Sequence, residues 1–169
     1  MRRTRISGFS LIELMVTIAI VAILLALGLP SFEGALRSNR VATTTNEMLA
    51  SLALARSEAI RSSRNSRLCA SADGLTCPAG LDWNAGWMIA MDDDQNGSFE
   101  RVVRYVQGHP RMVFAGTAAN ILDFDDRGRP DAAGTITLQP DQCPSGQQLA
   151  RTMTVNVVGQ VTTVKGTCA

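Results

Sequence analysis

Glu13 is the only charged residue between Arg5 and Glu33, and from Leu14 to Leu29 the chain carries no charge at all. A carboxylate at the edge of so clean an apolar run is costly and needs a partner. Further along, Asp92, Asp94 and Asn96 alternate ahead of Gly97, the spacing that opens a calcium loop. The twelfth position from Asp92 is Val103, not the bidentate glutamate such loops use, so a polar hairpin turn is the favoured reading and calcium the lesser one. Four cysteines, Cys69, Cys77, Cys143 and Cys168, suit two disulfides in an exported domain. Four cysteines allow three pairings; Cys69–Cys77 and Cys143–Cys168 are preferred because each closes a local loop. With no Cys-x-x-Cys and a single histidine, His109, beside Pro110 in a turn, no metal site is expected.

Nothing in the chain has the pattern of a catalyst. Gly-x-Ser-x-Gly, His-Glu-x-x-His and phosphate-loop sequences are all absent, so an interaction role is expected, with no cofactor. Trp83 and Trp87 are expected to anchor a small core rather than form a binding platform. The chain holds 16 Lys and Arg against 15 Asp and Glu, a net charge of +1; loss of residues 1–8 would remove three arginines and turn the balance to −2. A globally basic nucleic-acid binder is not indicated, although local patches are candidates: Arg127, Arg129, Arg151 and Lys165, or Arg61, Arg64 and Arg67. Dispersed, solvated arginines are the favoured reading of both.

The elements that position these residues follow from periodicity. Residues 9–30 are long and apolar enough to cross hydrocarbon about 30 Å thick. Arg2, Arg3 and Arg5 ahead of them predict a single pass with the amino terminus cytoplasmic and the remainder exported. Gly28 and Pro30 weaken the helix at the membrane exit without ending it. From residue 31 to about 66 a second helical half is expected: Val41, Met48, Leu52, Ala55 and Ala59 recur at helical spacing, and Leu49 and Ile60 widen the stripe. A continuous helix over residues 11–64 would be about 80 Å long at the standard rise, so its first half must project into a membrane or a filament core. After residue 66, β-prone runs alternate with turns. Strands are expected at 67–71, 86–91, 99–106, 111–114, 121–124, 135–138, 152–157 and 161–164. The fold class is therefore α+β: a long amino-terminal helix packed on an antiparallel β-rich head, residues 67–169.

The opening sequence Arg5-Ile6-Ser7-Gly8-Phe9-Ser10-Leu11-Ile12-Glu13-Leu14 resembles the class III signal of type IV pilins and pseudopilins. The small residue lies ahead of the apolar segment, whereas an ordinary secretory signal places it after. The resemblance implies a leader, residues 1–8, cut by prepilin peptidase after Gly8, with Phe9 then N-methylated. It implies that Glu13 pairs with the methylated amino terminus of a neighbouring subunit, and that Pro30 is the family's helix-kinking proline. Leu54-Ala55-Arg56-Ser57-Glu58-Ala59-Ile60, Cys69-Ala70-Ser71, Trp83-Asn84-Ala85-Gly86-Trp87, the Asp92–Gly97 turn, Phe124 to Gly128 and the closing Cys143…Cys168 pair resemble the GspH/FimT group of minor pilins and pseudopilins. That likeness implies a minor pilin of the FimT/FimU type, held in the inner membrane and then built into a pilus. Its partners would be other minor and major pilins and the inner-membrane assembly platform. The alternative is an H-type minor pseudopilin in a periplasmic pseudopilus of type II secretion. A third reading is a DNA-binding competence pilin. Some FimT-type pilins bind DNA through Gly-Arg-x-Arg; the counterpart here, Gly159-Gln160-Val161-Thr162, lacks both arginines.

Overall fold

The hydroxyl oxygen of Ser10 accepts the backbone N–H of Glu13 at 3.2 Å, and the helix that this cap opens, α1, spans Leu11–Ser62 in one run that includes Gly28 and Pro30. The computed structural model describes residues 9–115 and 120–168; Gly8 and the arginines before it lie outside them. Serine at the cap with glutamate three residues on is the capping-box sequence, and Glu13 also sits at the positive end of the helix dipole. The chain divides into two compact units, one ending at Arg37 and one beginning at Ser38. In the first unit the apolar side chains are exposed from Leu11 (77 %) to Leu27 (74 %). An apolar surface of that kind is unstable in water and requires lipid or protein around it.

In the second unit α1 buries Val41, Met48, Leu52, Ala55 and Ala59, the face its spacing predicts. Thr44, Thr45 and Ser51 complete that face, where an apolar-only reading of the sequence passes over them. The Thr45 hydroxyl donates to the Val41 carbonyl at 2.6 Å and the Ser51 hydroxyl to the Glu47 carbonyl at 2.9 Å, so neither is buried unpaired. Ser51 also accepts the indole N–H of Trp87 at 2.9 Å, which ties helix to sheet.

Among the described residues eight strands follow: β1 Ser66–Ala70, β2 Gly86–Met91, β3 Arg101–Gln107, β4 Met112–Ala115, β5 Ile121–Phe124, β6 Gly134–Pro140, β7 Ala150–Val155 and β8 Val161–Gly166. They form two four-stranded antiparallel sheets, ordered β3-β2-β1-β5 and β4-β6-β7-β8. Leu68, Trp87, Ile89, Leu122 and Phe124 of the first sheet and Phe114, Ile136, Leu138, Met153 and Val155 of the second share one core with the buried face of α1. Each such side chain contributes about 1.5–3 kcal/mol by leaving water. The outer face of the first sheet carries a smaller cluster, Cys69, Met88 and Ala90, covered by Cys77, Phe99 and Ile121. Hence every residue of β2 is buried.

Each expected strand exists, with shifted ends where a side chain overrides backbone preference. β3 begins at Arg101 and not 99, because Phe99 turns aside to lie 4.0 Å beneath the Arg67 guanidinium. β7 ends at Val155 and not 157: the Asn156 side-chain oxygen accepts the N–H groups of Val158 and Gln160, closing a turn that holds the β-branched Val157 outside the strand.

Candidate functional site

Glu13 is exposed on the first unit, one turn from the amino-terminal end of α1. With its N–H satisfied by Ser10, its carboxylate faces outward on a surface where Thr17, whose hydroxyl donates to the Leu14 carbonyl, is the one other polar side chain from Leu11 to Leu27. The side chain is thus a single charged point on an apolar rod, which can specify how a neighbouring rod lies against it.

The head is braced by Cys69–Cys77 and Cys143–Cys168, with Cα atoms 5.8 and 5.4 Å apart. The first disulfide fixes the 71–82 segment over the outer face of the first sheet, where the Tyr105 hydroxyl donates to the Ala72 carbonyl at 2.9 Å. Within that segment Asp73 accepts the N–H groups of Leu75 and Thr76 and the Thr76 hydroxyl, which hold its carboxyl well below the usual range.

The Asp92–Gly97 turn joins β2 to the chain leading into β3. Asp92 is buried, and its two oxygens accept the N–H groups of Asn96 and Gly97, each at 3.0 Å. Asp92, Asp94 and Glu100 bring a carboxylate oxygen each to within 4.8 Å of one another. Glu100 is a member the calcium-loop spacing did not anticipate, because the turn is shorter than such a loop. The turn holds Asp92 by its own backbone, which is how a polar hairpin turn is built.

Four arginines of the second unit, Arg61, Arg67, Arg101 and Arg129, are paired with carboxylates. Arg67 grips Asp123 through two bonds of 2.7 and 2.6 Å; this pairing raises its pKa further. Arg61 pairs with Glu58, and Arg101 with Asp93 at 2.6 Å, which lowers the Asp93 pKa. Arg129 pairs with Asp125 at 2.8 Å; burial pushes the Asp125 carboxyl up, but bonds from the Arg129 backbone and side chain and the Arg127 N–H outweigh it and hold it low. Arg151 donates to the carbonyls of Gln148 and Ala150 and stands opposite Lys165 across β7 and β8. The four proposed patch residues therefore divide: Arg127 and Arg129 share one turn, Arg151 and Lys165 one strand pair. Asp73, Asp93 and Asp125 all have folded values below the ordinary carboxylate range. The stability they lend is present above about pH 4 and is lost as pH falls through the depressed values. The melting temperature of the head is expected to drop on acidification below that point; a rise would contradict these pairings.

Trp87 is fully buried and Trp83 nearly so, hence core anchors. His109 lies in the β3–β4 turn, as its neighbour Pro110 suggests, but its Nε2 is also 2.5 Å from a carboxylate oxygen of Glu47 on α1.

Sequence reasoning missed the part played by Arg56. Its Nη1 donates to the Gly159 carbonyl at 2.8 Å, and its stem packs under Gly128. A Cβ on Gly159 would stand 2.3 Å from the Gly128 carbonyl oxygen, and one on Gly128 would stand 2.6 Å from Ile60 Cδ1; both glycines have positive φ. Two turns far apart in sequence thus meet on one helical arginine. A groove of about 340 Å³ beside it is lined by Leu49, Leu52, Ala53, Ile60, Gln160 and Val161. Arg56→Ala is expected to cost about 1.5–3 kcal/mol, as for a hydrogen bond to a charged group. A urea-denaturation midpoint equal to that of the unaltered chain would remove Arg56 from this role.

Comparison with known proteins agrees with this geometry. The family model described as Type II transport protein GspH matches residues 44–159, and the prokaryotic N-terminal methylation motif matches residues 3–29. Two crystal forms of the type IV minor pilin FimU of Pseudomonas aeruginosa resemble the chain, with TM-scores of 0.57 and 0.54. Both are 20 % identical and cover 73 % of this chain, against 87 % and 91 % of their own, which is a likeness of fold. A comparison with curated protein sequences found no match. A methylation motif at the start of the chain, and a family match over more than half its length, show that the chain belongs to the GspH family of pilin-like proteins.

Proposed function

We propose that this chain is a minor pilin that primes assembly of a type IV pilus. The observation that carries the reading is the joining of a methylation motif to a helix whose apolar side chains are exposed from Leu11 to Leu27. In this reading prepilin peptidase cuts after Gly8 and methylates Phe9. Residues 9–30 wait in the inner membrane and then enter the filament core. Residues 31–66 carry the β-rich head, residues 67–169, which offers surfaces to other minor and major pilins and to the assembly platform. Twitching motility and DNA uptake would then depend on the chain through the pilus. Arg61, Arg67, Arg101 and Arg129 are committed to Glu58, Asp123, Asp93 and Asp125, and a cation so paired is poorly placed to bind phosphate.

The description of the matched family as a type II transport protein favours a second reading, a minor pseudopilin of a secretion system. Deletion of the gene, followed by separate assays for surface pili, transformation and exoprotein secretion, separates the two. Loss of pili with secretion intact supports the first; loss of secretion with pili intact supports the second and overturns the first.

A further inference from the structure

Asn96-Gly97 is the sequence most prone to spontaneous deamidation, because glycine puts no side chain in the way of its own backbone nitrogen. Asn96 is exposed, and a Cβ on Gly97 would meet nothing within 4 Å, so neither crowding nor burial shields the pair. In the reaction the Gly97 nitrogen gives its proton to water and attacks Cγ of Asn96. A new C–N bond forms, the bond from Cγ to Nδ2 breaks, and ammonia leaves. Water then opens the cyclic imide at either carbonyl, leaving aspartate or isoaspartate. No oxidant, cofactor or enzyme is needed.

The structure restrains every atom that this step must release. The Gly97 N–H donates to Asp92 Oδ2 at 3.0 Å, and the Asn96 N–H to Asp92 Oδ1 at the same distance. Asp92 is 1 % exposed, so this carboxylate is fixed by its surroundings. The carboxamide of Asn96 is held at both ends: Nδ2 donates to Asp94 Oδ2 at 2.8 Å, and Oδ1 accepts the Ser98 N–H at 2.6 Å. A negative charge bonded to the Gly97 N–H opposes its deprotonation, since the amide anion would face a carboxylate at contact. A second carboxylate, Asp94, holds the leaving nitrogen in place.

We propose that Asn96–Gly97 is a latent modification site, deamidation by water, and that the buried carboxylate of Asp92 is the group that keeps it intact. The product would place a further negative charge beside Asp92, Asp94 and Glu100, and isoaspartate would also lengthen the backbone within a turn that runs at positive φ at Gln95 and Gly97.

The test is peptide mapping by mass spectrometry of the whole chain in detergent, held warm at neutral pH, with the reduced and denatured chain as the unprotected reference. The native chain is expected to deamidate at Asn96 at least about tenfold more slowly than the reference, a barrier difference of about 1.4 kcal/mol. Asp92→Asn, which keeps the shape and removes the charge, is expected to recover most of that rate; Asp94→Asn is expected to recover less. Equal rates in native and denatured chains would overturn the proposal. So would an Asp92→Asn chain with intact disulfides and native melting that keeps the unaltered rate. Should that variant fail to fold, hydrogen exchange at the Gly97 amide of the unaltered chain decides: protection is expected, and exchange at the free-peptide rate overturns the idea.

Discussion

Replacing Glu13 by Gln is expected to leave the chain in the membrane and largely absent from filaments. Glu13 is the one charged side chain on this stretch of α1, the Thr17 hydroxyl one turn on is given to the Leu14 carbonyl, and the Glu13 backbone N–H is already satisfied by Ser10. In the core of a helical filament such a carboxylate needs an opposite charge, and removing one member of a buried pair costs about 3–5 kcal/mol. Glutamine keeps the shape and hydrogen-bonding capacity, so part of that is retained; even one third lowers incorporation about tenfold. The readout is the amount of this chain in sheared pili relative to membrane, in cells that also express the unaltered neighbours. Because Glu13 belongs to the unit ending at Arg37, melting of the head is expected to be unchanged. Incorporation at the normal level would sink the idea that Glu13 meets a neighbour's amino terminus.

Removing the Cys143–Cys168 disulfide, by serine at both positions, is expected to be the costliest change to the head itself. Chain-entropy reasoning assigns its longer loop about 3.5 kcal/mol, against about 2.6 kcal/mol for Cys69–Cys77. The location adds to the difference. β8 is an edge strand, exposed over most of its length. Cys168 is buried, and its backbone bonds to Gln147 and Gly146 close the chain back onto the approach to β7. Without the disulfide those bonds and then β8 would fray. The melting temperature is expected to fall by roughly 10 °C. The corresponding Cys69 and Cys77 variant is expected to lose less, since its loop covers the small outer cluster and not the shared core. An unchanged melting temperature after loss of Cys143–Cys168 would show that β8 is held by its ladder to β7 alone.

Local chemistry was legible in the sequence because it depends on neighbours along the chain. The spacing of Val41, Met48, Leu52, Ala55 and Ala59 marked the buried face of α1, and turn residues marked eight strands to within about two positions. Gly8-Phe9 with Glu13 marked the family. Where the reading slipped, a side-chain contact was responsible: Asn156 closing its own turn, Phe99 drawn to Arg67, or polar groups taken into the core. Thr44, Thr45 and Ser51 look exposed by type, yet lie in the core; α1 carbonyls satisfy Thr45 and Ser51, and Ser51 also takes the Trp87 indole N–H.

The sequence by itself thus determined the N-terminal methylation motif, the membrane-competent helix and the order of elements. Each of these is written in short-range periodicity or in contiguous residues. Only the tertiary structure decided how strands divide between sheets, with β5 returning to β1 while β4 joins β6. Only it decided that Arg67 belongs to Asp123, that Arg56 gathers Gly128 and Gly159, and that Glu100 joins Asp92 and Asp94. Arg67 and Arg56 meet their partners by packing across long sequence separations, and Glu100 by the path of its own turn; residue type does not encode the choice: an arginine free to bind phosphate and one already paired with aspartate read alike until the fold brings the aspartate to it.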